Sequence, residues 1–131
     1  MTRPLRALTL AAGTALAAPA FAGGTISLEI EAQNAQDAQA IQTGLAVYQI
    51  VNDVKTDSHV SQNGIDNLAT LGQHGSGNVG IVHQDGDDHD AALNQTGTGN
   101  SYGIFQFGEG ASGDVDQVGS GEAGLLIQVG F

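Results

Sequence analysis

Carboxylates and amides are the two side-chain types whose spacing in this sequence could support chemistry. Asp85, Asp87, Asp88 and Asp90 surround His89 in one stretch, and oxygen ligands at that density suit Ca²⁺. Acidic calcium-binding repeats recur about every nine residues, however, and a single stretch here carries the cluster, so neither a metal nor any other cofactor is expected. The expected role is restraint: with Asp114 and Asp116, these carboxylates act as gatekeepers that oppose premature strand pairing. A plainly solvated face is the alternative. His59, His74, His83 and His89 lack a regular ligand spacing, and no nucleophile, base and acid set or phosphate loop stands out. An enzyme is therefore not expected.

The amides differ because they repeat. Gln62, Gln73, Gln84, Gln95, Gln106, Gln117 and Gln128 recur every eleven residues, each followed two residues later by glycine: Gly64, Gly75, Gly86, Gly97, Gly108, Gly119 and Gly130. Eleven residues accommodate one strand and one turn, which predicts an all-β chain folded as a β-solenoid of stacked strand-turn-strand rungs. With each glutamine as position 0, position 4 is glycine or aspartate, as in Gly77 and Asp88, so the turn lies between positions 1 and 4. Positions 5 to 11 then form the strand, and alternation puts 5, 7, 9 and 11 on one face.

That face is the interior, because position 9 is always aliphatic: Leu71, Val82, Leu93, Ile104, Val115 and Leu126. Position 7 is small except at Tyr102, and position 5 starts an asparagine ladder with Asn67, Asn78 and Asn100 that His89, Ala111 and Glu122 interrupt. Two units per rung stack Gln62, Gln84, Gln106 and Gln128 in one sheet and Gln73, Gln95 and Gln117 in the facing one. Identical amides about 4.8 Å apart can bond to those above and below, as in cross-β assemblies. Read singly, each glutamine is an exposed polar residue; strict spacing beside an obligate aliphatic favours the buried ladder. Outward position 8 is mixed, with Thr70, Ile81, Ala92, Gly103, Asp114 and Leu125, which is unlike the threonine ranks of an ice-binding face.

Upstream the register fades. Ser58, Val60 and Gln62 fit a preceding unit with Asp53 in place of its glycine, and Gln42-Thr-Gly44 before Val47, Gln49 and Val51 reads as a degenerate turn and strand two residues out of step. Ile26, Leu28 and Ile30 alternate, and the Ala/Gln-rich stretch after them reads as helical or disordered. Residues 23–57 are accordingly expected to be degenerate or partly disordered, and 58–131 to form the repeat domain.

Residues 1–22 read as a secretory signal: Arg3 and Arg6, an apolar run, then Ala20-Phe21-Ala22 before Gly23. The run is too short for a span of about 20 residues, so membrane insertion is not expected. Beyond the signal one lysine, Lys55, faces 14 carboxylates, a net of −13, which excludes nucleic-acid binding by phosphate neutralisation. Such charge opposes self-association until it is screened. There is no cysteine, and both prolines, Pro4 and Pro19, lie in the signal. Backbone ladders and repeated contacts must therefore hold the fold.

The pattern Gln-x-Gly-x-x-Asn-x-Ala-x-x-x-Gln, complete in Gln62, Gly64, Asn67, Ala69 and Gln73, resembles the curlin repeat of curli subunits, the secreted functional amyloid of Gram-negative bacteria. The resemblance covers residues 58–131 and departs at Gly80, Tyr102, Gly113 and Gly124 in the alanine position. It implies export through the periplasm and an outer-membrane secretion machinery, and polymerisation on a nucleating subunit into a cell-surface fibre for adhesion and biofilm matrix. The main partner is then the chain itself; principal and nucleating subunit both stay open, the lack of basic residues near the C-terminus leaning towards the principal one. A monomeric secreted solenoid that binds calcium or a surface ligand is the alternative. The repeat shows no cap, so its terminal strands are expected to be open to further chains.

Overall fold

The turns set the architecture. In a computed structural model, which describes residues 11–12, 24–52, 54 and 57–131, position 2 takes positive φ in six of the turns, for example Gly86 at +130°. A Cβ on Gly86 would lie 1.9 Å from the carbonyl oxygen of Gly108 in the next rung, so both the dihedral and the close stacking require glycine there. Position 4 is left-handed throughout, and Asp66 and Asp88 reach it at φ 57° and 58°, a region aspartate tolerates better than most residues.

Seven strands follow from these turns: β3 (Ser58–Asn63), β4 (Leu68–His74), β5 (Val79–Asp87), β6 (Asp90–Thr98), β7 (Ser101–Glu109), β8 (Ser112–Ser120) and β9 (Ala123–Gly130). Alternate strands pair in parallel and in register, Gln62 with Gln84, Gln84 with Gln106, Gln106 with Gln128, and likewise Gln73 with Gln95 and Gln95 with Gln117. One sheet runs β3-β5-β7-β9 and the other β4-β6-β8, so the chain climbs a two-sheet β-solenoid. Val82, Ala91, Leu93, Tyr102, Ile104 and Leu126 form the buried core between the sheets, with Ala69, Leu71 and Val115 packed against it.

The N-terminal part departs from the expected degenerate repeat. β2 (Thr25–Glu31) pairs antiparallel with β9, so the sheet continues as β3-β5-β7-β9-β2, and a two-residue strand, β1 (Ala11–Ala12), pairs with β2. The rest of the expected signal and its cleavage site lie outside the described residues, as do Asp53 and Lys55. Residues Ala35–Val51 form one helix, α1, which overturns the turn and strand read from Gln42-Thr-Gly44. Its start is determined by Asn34, whose side chain accepts from the backbone N–H groups of Gln36 and Asp37, both at 2.9 Å, an N-cap of about 1 kcal/mol. Ala38, Ile41 and Leu45 then share one buried face, at helical spacing, while Gly44 sits on the open side.

That face lies on the outside of the β3-β5-β7-β9 sheet, in one cluster with Ile81, Ala123, Phe105, Leu125 and Ile30. Burying a large aliphatic such as the inaccessible Ile81 contributes about 1.5–3 kcal/mol. The mixed outward position therefore resolves by sheet. Ile81, Gly103 and Leu125 belong to the helix-covered sheet, whereas Thr70 and Asp114 lie exposed on the other, with Ala92 half-buried between them.

Candidate functional site

Five of the repeat glutamines donate to the glutamine of the next rung, and together these bonds have a direction. Gln62 Nε2 donates to Gln84 Oε1 at 2.8 Å, Gln84 to Gln106 at 2.9 Å, and Gln106 to Gln128 at 2.8 Å. In the facing sheet Gln73 donates to Gln95 at 2.8 Å and Gln95 to Gln117 at 2.9 Å. The second N–H of each central amide reaches a backbone carbonyl across the interior, as Gln84 does to Leu68 and Gln95 to Val79. Gln84, Gln95 and Gln106 are fully enclosed, where an unmade bond is costly. Each ladder thus has an oxygen end at the first rung and an N–H end at the last.

The asparagines do not form the expected amide-to-amide ladder. Asn67, Asn78 and Asn100 each donate to the turn glycine carbonyl of the next rung, Gly86, Gly97 and Gly119, and accept from a backbone N–H there. Each side chain clamps successive turns instead. His89 takes over the accepting half of this role: the Ala111 N–H donates to its Nδ1 at 3.1 Å, which places the ring proton on Nε2, near the carbonyl of Asp85.

The carboxylates are scattered by the fold. Asp85 accepts from Asn63 at 2.9 Å, Asp87 accepts from the Ile65 N–H at 2.9 Å, and Asp88 shapes a turn. Asp90, Asp114 and Asp116 are exposed. Among the described residues no group of three or more His, Cys, Asp or Glu is placed to hold a metal ion.

The two ends of the stack differ, and here the expectation of an uncapped repeat is half corrected. At the first rung Val60 is 42 % exposed and Gln62 is exposed although both face inward, and Gln62 Oε1 accepts no bond among the described residues. Gln73 Oε1 at the same end accepts from Ser58 Oγ. At the last rung β2 covers β9, placing Ser27 opposite Gln128, Glu29 opposite Leu126 and Glu31 opposite Gly124. Gln128 Nε2 donates to Ser27 Oγ at 3.0 Å, and Gly24 and Phe131 exchange backbone bonds at the strand ends. Among the described residues β8 has no such cover. Beside it a cleft of about 160 Å³ is lined by Glu31, Ala32, Val115, Asp116, Gln117 and Glu122, among others, and Gln117 Nε2 has only the Ser101 carbonyl, at 3.3 Å.

Tyr102 joins core to cap. It stacks between Gly80 and Gly124, and a Cβ on Gly124 would come within 2.4 Å of its ring; glycine at 124 is what admits the one large residue at position 7. Its hydroxyl donates to Glu29 at 3.2 Å. Burial, then the charge and hydrogen bond of Glu29, then the charge of Glu31, push the phenol pKa well up. Ser27, Glu29 and Glu31 were not among the sequence candidates. Their alternation with Ile26, Leu28 and Ile30 is the signal that could have found them.

Comparison with known families matches the curlin associated repeat to residues 64–97. No curated protein and no solved structure matches.

Proposed function

We propose that this chain, a curlin-family protein by its matched repeat, is a secreted structural subunit that assembles with copies of itself into a cell-surface amyloid fibre serving adhesion and biofilm matrix. The observation that carries this is the pair of directional amide ladders ending in an uncapped first rung, with Val60 and Gln62 laid open. An added strand gains backbone bonds, an amide bond and apolar burial at once. On this reading the chain is exported through the periplasm by an outer-membrane machinery and starts on a nucleating subunit. The exposed carboxylates delay pairing on the way.

One observation favours a monomeric binding solenoid: β2 already covers β9. The open first rung weighs against it. The test is to desalt the chain from denaturant. Fibres with meridional diffraction near ~4.8 Å and equatorial diffraction near ~10 Å are expected; a soluble monomer at every concentration would overturn the proposal.

A further inference from the structure

The number of repeat strands is odd. β3 opens the solenoid in one sheet and β9 closes it in the same sheet, so the next strand in the climb would fall in the opposite sheet, on β8. No strand among the described residues takes that place, and the cleft beside Val115, Asp116 and Gln117 marks it.

The polar groups single out the same place. Among the described residues Gln62 Oε1 is the ladder acceptor without a donor, and Gln117 Nε2 is the ladder donor without a glutamine acceptor. The other two ladder ends are satisfied within the chain by serines, Gln73 by Ser58 and Gln128 by Ser27. A second copy laid with β3 on β8 brings the two open groups together, Gln62 on Gln117, with Val60 over Val115. A copy laid with β3 on β9 would set Gln62 against the occupied Gln128 and leave Gln117 and the cleft unfilled.

We infer that a second copy of this chain docks on the last rung turned by half a turn about the stack axis, β3 on β8 as the first foothold, after which its β4 displaces β2 from β9. This rests on the fibre-subunit reading and specifies how copies join. Displacement exchanges Ser27, Glu29 and Glu31, now opposite Gln128, Leu126 and Gly124, for Gln73, Leu71 and Ala69 of the newcomer, which continue the amide and aliphatic columns. Two carboxylates leave the end of the core as it becomes interior. β2 is thus a removable plug, and α1 keeps its packing on Ile81, Phe105 and Leu125 while it goes. Each half-rung turns the chain by half a turn and lifts it about 2.4 Å, so seven strands give a rise of about 17 Å per copy with alternating orientation; unturned stacking requires four full rungs, about 19 Å.

The chain contains no cysteine, which makes disulfide trapping direct. Fibres grown from an equal mixture of Ser61→Cys and Asp116→Cys chains should cross-link between copies on oxidation, because the half-turn sets those outward positions at paired-strand distance. Ser61→Cys mixed with Ile127→Cys should not. Cross-linking to position 127 in place of 116, or a 19 Å rise without rotation, would overturn the inference while leaving fibre formation intact. A second variant tests the plug. Ile26 and Val129 are paired and exposed, so the double variant Ile26→Cys/Val129→Cys can lock β2 onto β9. The oxidised chain should add once to the last-rung end of a seed and then block that end, stopping growth there at sub-stoichiometric amounts, with growth restored by reduction. Growth of the locked chain at the reduced chain's rate refutes displacement. If the unmodified chain forms no fibres at all, both readings fall together.

Discussion

Replacing Gln106 with alanine would cut the longer ladder at its most enclosed point. Gln106 has no exposed surface; it accepts from Gln84 at 2.9 Å and donates to Gln128 and to the Asp90 carbonyl, both at 2.8 Å. Alanine leaves one N–H of Gln84 and the oxygen of Gln128 without partners, at about 1–3 kcal/mol each. A water molecule entering the polar void recovers part of that, so the expected net loss is about 2–4 kcal/mol. In urea, with a slope of about 1.5 kcal/mol/M, the unfolding midpoint of the dilute monomer falls by roughly 1–3 M. Gln62→Ala removes the donor to Gln84 Oε1 and to the Asn67 carbonyl, at an end water can reach, and should cost about 1 kcal/mol or less. Ser120→Ala, on the exposed surface, should stay within about 0.5 kcal/mol. Circular dichroism during urea titration reads all three. Coincident midpoints for Gln106→Ala and Ser120→Ala would refute the reasoning that buried amide bonding holds the stack.

Three further outcomes are expected. Gly124→Ala should lower stability by about 1–3 kcal/mol through its clash with the Tyr102 ring, and Tyr102→Val in the same chain should recover part of it in the same titration. Fibre growth followed by thioflavin fluorescence should accelerate as salt rises, because a strongly acidic chain must overcome self-repulsion, and Asn at positions 85, 87, 88 and 90 should shorten the lag; an unchanged lag would assign these residues to a merely solvated face. Stability should hold up to about pH 10 and fall above it by about 1.4 kcal/mol per pH unit, since the unfolded chain then releases the phenolic proton that folded Tyr102 retains; Tyr102→Phe should flatten that fall in denaturant midpoints taken from pH 8 to 11.

The interior was legible from the sequence because its rule is local. Eleven-residue spacing and strand alternation together place Gln84 beside Val82 and on the same face, and nothing distant can alter that. The outer surface was less legible. Reading Ile81, Ala92, Gly103 and Asp114 as one series averages two different environments, and only separating alternate units reveals an apolar outside on one sheet. The second half of the helix was hidden by mimicry, whereas its Ala/Gln-rich start already had a helical reading: Gln42-Thr-Gly44 reproduces the repeat's anchor pair, although Ala38, Ile41, Leu45 and Tyr48 follow helical spacing. Alternation around Ile26, Leu28 and Ile30 marks β2 as a strand but not its partner, since Ser27 meets Gln128 across 101 residues of sequence and antiparallel pairing shares no register with the repeat.

The Gly80, Tyr102 and Gly124 column also bears on fidelity. A ladder of identical glutamines is degenerate: a strand that slips by one full rung finds the same amide waiting and loses almost nothing in the column itself. The tyrosine removes that indifference. Its ring needs glycine at the place of Gly124, and a slipped β7 would set the ring against Ser58 or, between two copies in lateral register, against another Tyr102. A single bulky residue thereby works as a parity mark in a message of repeated letters, raising the energy of misread alignments during folding without weakening the bonds that make every correct rung alike.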